Sequence, residues 1–278
     1  MTTTYGPTET RVYVGVGSDS LTLEEVSVRL GLQPTGGWSI GELTRRGSRQ
    51  ESTFLEVDSG CSRESSHDEH LRGLIDRAER VAAVVDASQG VLDYARLEVV
   101  ESFRSPAGAR LLVLDERWLR ALQRMHGWLD VDQYIAFTTS DAERPECPEE
   151  IMLGQTLRLR LRPISDPHAA AVELTEDERF TSEMQDVVLR EFLGGLDAVP
   201  DGGYVLEIEQ TMITRVWTET GFGLSRETLA EAYPKIREIR LHTTVLPDDS
   251  DVTQQRGGSR CTSSRWGTDG GVVECGNS

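Results

Sequence analysis

Lysine is nearly absent from this chain: Lys235 is the only one among 278 residues, and arginine carries the rest of the fixed positive charge. Positive charge as a whole is short, with 29 basic residues against 47 acidic ones and a formal net charge of −18. The deficit is not the work of one tail, since residues up to Ser140 carry −6 and those after it −12. Such a field repels nucleic acid and anionic lipid, and it speeds encounter with a basic partner. Nucleic acid and membrane are therefore set aside as partners, and a basic protein is the expected one. The four cysteines, Cys61, Cys147, Cys261 and Cys275, lack metal-ligand spacing and read as free thiols. No apolar run reaches the length of a membrane helix, and Met1–Pro7 has neither a basic head nor an apolar stretch. A cytoplasmic location is the expectation.

Catalytic signatures are missing as well. Gly15-Val-Gly17 precedes a helix but lacks the full glycine fingerprint of a phosphate cradle. No serine stands in a nucleophile elbow, and Cys147 lies between two prolines without a base to activate it. His67 and His70, with Asp68, Glu69 or Cys61, offer a weak H-x-x-H pattern, which falls short of a zinc site. Asp130 and Asp132 share one face of a strand, as paired acids do in hydrolases, but the polar edge of an alternating strand explains them as well. The expectation is no catalytic residue, no metal and no cofactor.

What is present is organised around Leu30–Glu42. Leu30 closes a helix, Gly31 supplies a left-handed stop, and Pro34 bars continuation. Trp38 and Ile40 are apolar anchors on the loop that follows, with Trp38 read mainly as a plug into the core and alternatively as part of a presented surface. Arg45, Arg46 and Arg49 come next, the one dense basic spot, expected to pair with nearby carboxylates or to hold an anion.

Around this loop strands and helices alternate. Arg11–Gly17 is a strand with Val12, Val14 and Val16 on one face; Thr22 and Glu25 make a capping box for the helix ending at Leu30. Ser66 and Glu69 cap the longest helix, whose apolar positions run from Leu71 to Val85. Tyr94–Phe103, a helix over Asp115–Met125 and a strand over Leu129–Phe137 complete the segment. The opening strand, Leu30-Gly31, Pro34-Thr35, Trp38-Ser-Ile-Gly41-Glu42 and Leu129-Asp-Val-Asp132-Gln-Tyr134 together resemble a bacterial family, domain of unknown function number four-two-seven-nine, over about Arg11–Phe137. The resemblance implies a compact α+β domain and brings no established chemistry. Some members look like immunity proteins from toxin neighbourhoods.

The second half repeats the alternation. Leu157, Leu159 and Leu161 alternate with Arg158, Arg160 and Arg162, whose like charges call for acids alongside; Glu207 and Glu209 on the strand Tyr204–Thr214 are the natural suppliers. A helix is expected over Glu176–Leu196, with Glu176, Asp177 and Glu178 crowded at its start, followed by a short helix from Ser225 and a strand through Ile239, Leu241 and Val245. This half echoes the first in pattern, not in residues, as a diverged copy would. The expected class is α+β: two sheet-and-helix sandwich domains, ferredoxin-like in one version. They span 1–140 and 155–247, joined by a linker at 141–154 and followed by a disordered tail at 248–278. The expected function is a non-enzymatic protein-binding module, an immunity or antitoxin-like factor for a basic partner. Its candidate contacts are Trp38, Arg45, Arg46, Arg49, Glu176, Asp177 and Glu178. The alternative is an enzyme with an unrecognised carboxylate or metal site.

Overall fold

Val12, Val14 and Val16 point one way from an extended segment, while Tyr13, Gly15 and Gly17 point the other, so its two faces meet different surroundings. In the computed structural model this segment is β1 (Glu9–Ser18). The structure describes residues 9–45, 47–88, 90–103, 110–136, 152–166, 172–177, 182–195, 203–214 and 217–247. After β1 comes α1 (Leu23–Leu30), where Thr22 Oγ1 accepts from the Glu25 N–H and the Glu25 carboxylate accepts from the Thr22 N–H. Gly31 ends it at φ 61°, the left-handed region that glycine enters without a Cβ penalty. The first half continues as β2 (Gly36–Trp38), β3 (Thr53–Asp58), α2 (His67–Ser88), β4 (Tyr94–Phe103), β5 (Arg110–Leu114), α3 (Glu116–Arg124) and β6 (Trp128–Ala136). The second comprises β7 (Met152–Pro163), β8 (Val172–Asp177), α4 (Ser182–Gly194), β9 (Tyr204–Thr214), β10 (Trp217–Leu224), α5 (Arg226–Ala232) and β11 (Ile236–Pro247).

The strands form two sheets, ordered β10-β6-β4-β1-β3-β2 and β5-β11-β9-β7-β8. Each sheet therefore takes one strand from the other half of the chain: β10 lies antiparallel to β6, and β5 antiparallel to β11. The α+β class is the expected one, but 1–140 and 155–247 do not each hold a sheet of their own. Of the expected linker, 141–151 lies outside the described residues, as does the whole tail from 248.

One continuous core joins the helices to the inner faces of both sheets. Val12, Leu74, Leu97 and Leu122 belong to it from the first half, and Leu159, Ile208 and Leu241 from the second. Burial on this scale is the main favourable term for the fold.

Local chemistry explains where sequence and structure part. Val172 and Leu174 pair across strands with Leu161 and Leu159, so this stretch is strand β8 and the helix begins only at Ser182. Glu176 and Asp177 thus lie on β8 and not at a helix start, and Glu178 falls outside the described residues. The arginines of β7 find the expected acids: Arg160 Nη1 meets Glu209 at 2.9 Å and Arg162 Nε meets Glu207 at 2.8 Å.

Candidate functional site

On the first sheet the apolar residues of β1, β3, β4 and β6 face the helices, and the alternate residues form an outer face. Four aromatic side chains cross it from strand to strand. Trp38 of β2 lies 4.9 Å from Phe54 of β3, Phe54 lies 6.4 Å from Tyr94 of β4, and Tyr94 lies 5.6 Å from Trp128 of β6, centroid to centroid. Strand β1 runs between β3 and β4, and the row passes over it only because β1 offers glycine there. A Cβ on Gly15 would sit 2.5 Å from the Phe54 ring, and one on Gly17 2.0 Å from the Tyr94 ring. Phe54 is sealed beneath its neighbours, whereas Trp38, Tyr94 and Trp128 remain partly exposed.

Carboxylates adjoin this row. Register places Glu56 and Asp58 on β3, Glu98 on β4, and Asp130 and Asp132 on β6, all pointing to the outer face. Two arginines answer them. Arg11 contacts Glu56 at 2.6 Å and Asp58 at 3.0 Å, with its guanidinium 4.7 Å over Tyr13. Arg96 contacts Glu98 at 2.6 Å and Asp130 at 3.7 Å, with its guanidinium 5.0 Å over Phe54. Among the described residues Glu98 and Asp130 share the Arg96 guanidinium. Burial pushes the Glu98 carboxyl up, and its neighbours Asp130 and Asp132 add to that while Arg96 and the Tyr13 hydroxyl oppose it. Burial likewise pushes Asp130 up, with Arg96 opposing. Asp58 goes the other way: burial would raise it, but the Gly60 N–H and Arg11 hold it below the usual range. Glu98 and Asp130 are thus desolvated acids that share one arginine. Aromatic faces beside such acids suit a cation.

The outer face of the second sheet is built differently. There Glu209 meets Arg158 at 3.3 Å and Arg160 at 2.9 Å, and Glu207 meets Arg162 at 2.8 Å and Arg240 at 3.7 Å. Charges alternate and answer one another, so this face seals itself.

A second polar cluster is buried on the inner side. His67, Glu101, Gln133 and Thr243 are each 5% exposed or less and meet around a void with no room for a water molecule. His67 Nδ1 donates to the Leu111 carbonyl at 3.3 Å, while its Nε2 stands 2.7 Å from Glu101 Oε1, close but off the line of a regular hydrogen bond. Gln133 Nε2 donates to Glu101 Oε2 at 2.8 Å and to Thr243 Oγ1 at 3.1 Å. These four side chains lie within the core.

Of the residues singled out from sequence, Trp38 reaches the aromatic row. It is a partly exposed member of a surface, and the description as a core plug is corrected accordingly. Arg49 Nη1 donates to the Gly41 carbonyl at 2.6 Å, bracing its own hairpin, and Arg45 is exposed at the tip; Arg46 lies outside the described residues. His70 Nδ1 lies 2.6 Å from Ser59 Oγ, and burial lowers its pKa; no group of three metal-ligating side chains occurs among the described residues. Tyr13, Phe54, Tyr94, Arg96, Glu98 and Trp128 were not singled out. Alternation alone would have put the first five opposite the core.

No curated protein and no solved structure matches the chain with significance. Among the described residues no helix is long and apolar enough to cross a membrane. Residues 8–136 match the model of the family described as Domain of unknown function (DUF4279).

Proposed function

We propose that the protein is a non-enzymatic binding module for a basic protein, and that the outer face of the first sheet is where the partner docks. The observation that carries this reading is the aromatic row beside the half-buried carboxylates Glu98 and Asp130. Interfaces draw their energy from a few aromatic anchors, and charge complementarity sets the encounter rate and the choice of partner. An incoming guanidinium or ammonium would stack on Trp128 or Tyr94 and approach Asp130 and Glu98, whose desolvation is the cost that binding relieves. The acidity of both halves adds long-range attraction for such a partner. An immunity or antitoxin-like role against a basic toxin is the specific form of this reading that the family resemblance suggests. The cytoplasmic location belongs to the same reading.

The test uses a fluorescein-labelled oligo-arginine peptide titrated with the full chain. Binding at low salt, falling steeply as salt is added, is the expected result. Asp130→Asn with Asp132→Asn, and separately Trp128→Ala, should each weaken it roughly tenfold, about 1.4 kcal/mol. A peptide that ignores the protein at low salt, or binds the variants as well as the parent, overturns the reading. A second reading, an enzyme using Glu98 and Asp130 as acid and base, is favoured by one observation: both carboxyls are pushed up by burial.

A further inference from the structure

The two sheets follow one plan. From the exchanged strand inward, β10-β6-β4-β1-β3 and β5-β11-β9-β7-β8 pair in the same senses: antiparallel, parallel, antiparallel, antiparallel. In each half the exchanged strand enters a helix through a single capping residue, Asp115 after β5 and Ser225 after β10. The side chain of each accepts from the backbone N–H three residues on. Superposing the registers sets Leu129, Val131 and Gln133 of β6 on Ile239, Leu241 and Thr243 of β11, and Phe103 of β4 on Met212 of β9. Equivalent positions then turn out to touch. Gln133 Nε2 donates to Thr243 Oγ1 at 3.1 Å, and Phe103 shares one small apolar cluster with Met212. A residue meets its own equivalent only beside a two-fold axis.

We infer that residues 152–247 are a second, diverged copy of the domain in residues 9–136, docked on it as the second subunit of a two-fold dimer would be, and that this copy kept the docking surface and gave up the binding face. The register shows what changed. Inner positions stay apolar, as with Val131 and Leu241. On the outer face Arg160 stands where the first sheet has Tyr13, Arg240 where it has Asp130, and His242 where it has Asp132, while Glu98 and Asp58 keep acidic counterparts in Glu207 and Glu173. The partner of the first domain is thus another copy of the same domain, supplied on the same chain, and one working face remains per molecule. The loss of the second face rests on the binding reading above; the copy and its docking do not.

Two experiments separate these parts. In the full chain with its four cysteines changed to serine and a protease site replacing residues 141–146, Asp130→Cys with Gly223→Cys, and separately Val113→Cys with Arg240→Cys, are joined by a short bis-maleimide. These are equivalent cross-strand pairs in the two sheets. After cleavage each should run as one band on a denaturing gel. Two bands from either pair, in a variant that melts like its parent before cleavage, would refute the reciprocal exchange and with it the copy. The second experiment grafts the working face by register, with Arg160→Tyr, Glu238→Trp, Arg240→Asp and His242→Asp. Oligo-arginine uptake should rise from one peptide per chain to two. Uptake that stays at one in a normally melting variant overturns the conversion of the face. A parent that takes up no peptide overturns the binding reading and the conversion together, and the cross-links still decide the copy.

Discussion

Gly15 shows how much a missing side chain can organise. Alanine is ordinarily better than glycine in a strand by roughly 0.5–1 kcal/mol. Here the added methyl would meet Phe54, which is 2% exposed and roofed by Trp38 and Arg96, so the ring cannot simply swing aside. Overpacking costs about 1–3 kcal/mol and wins. Gly15→Ala should therefore lower the thermal midpoint and alter the near-UV circular dichroism of the aromatic row; an unchanged spectrum with a raised midpoint would show that the row yields. Sequence made Gly15 visible as half of an incomplete phosphate motif. Its actual role depends on rings contributed by β3 and β4, which no local pattern reveals. Trp38 was found from sequence because a tryptophan on a glycine-rich loop must be held by something. What holds it, Phe54, is sixteen residues away on the neighbouring strand.

At the scale of elements, the ends of helices were the most legible features. Thr22 with Glu25, Ser66 with Glu69, and Ser225 all cap as their spacing implies, because a cap is chemistry among residues three apart. The helix beginning at Ser182 was misplaced toward Glu176, since an acidic cluster imitates a first turn and the cross-strand partners of Val172 and Leu174 are distant in sequence. β10 went unseen because Gly221 and Gly223 interrupt its apolar alternation. One residue couples these elements. Asp186 of α4 accepts from Arg190 Nε at 2.8 Å, from the Ser225 N–H at 3.2 Å and from the Thr228 hydroxyl, binding α4 to the start of α5. Burial alone would raise its carboxyl, but these hydrogen bonds hold it below the usual range. Asp186→Ala should cost about 1–3 kcal/mol at neutral pH. The contribution of a depressed carboxyl is present above its unfolded value and is lost as pH falls through the folded one. The difference between parent and variant should therefore vanish in strong acid; a gap that persists there would assign the effect to packing.

Across the whole molecule the acids of the first sheet pull the other way. Glu98 and Asp130 are raised in the folded chain, so their ionisation opposes folding: the stability they allow is full at low pH and declines as pH rises through their folded values. Asp130→Asn should accordingly raise the thermal midpoint at neutral pH, with the gain disappearing in mild acid. The same protonation should weaken oligo-arginine binding at a pH where ordinary carboxylates are still charged. A midpoint that falls at neutral pH would mean that Asp130 is stabilised by Arg96 more than it is penalised by burial.

The exchange of β5 and β10 sets a timetable for synthesis. At roughly 5–20 residues per second, β5 leaves the ribosome on the order of ten seconds before β11, the strand it must join, has been made. Through that interval β6 also waits, its edge unfilled until β10 arrives. The nascent first half must therefore pass time with two unpaired strand edges, in a cell where other copies of the same half are being made. Those edges fit one another by design, and chains on neighbouring ribosomes can pair across molecules before either is finished. A long connection between the halves delays the intended partner; high local concentration of polysomes favours the unintended one.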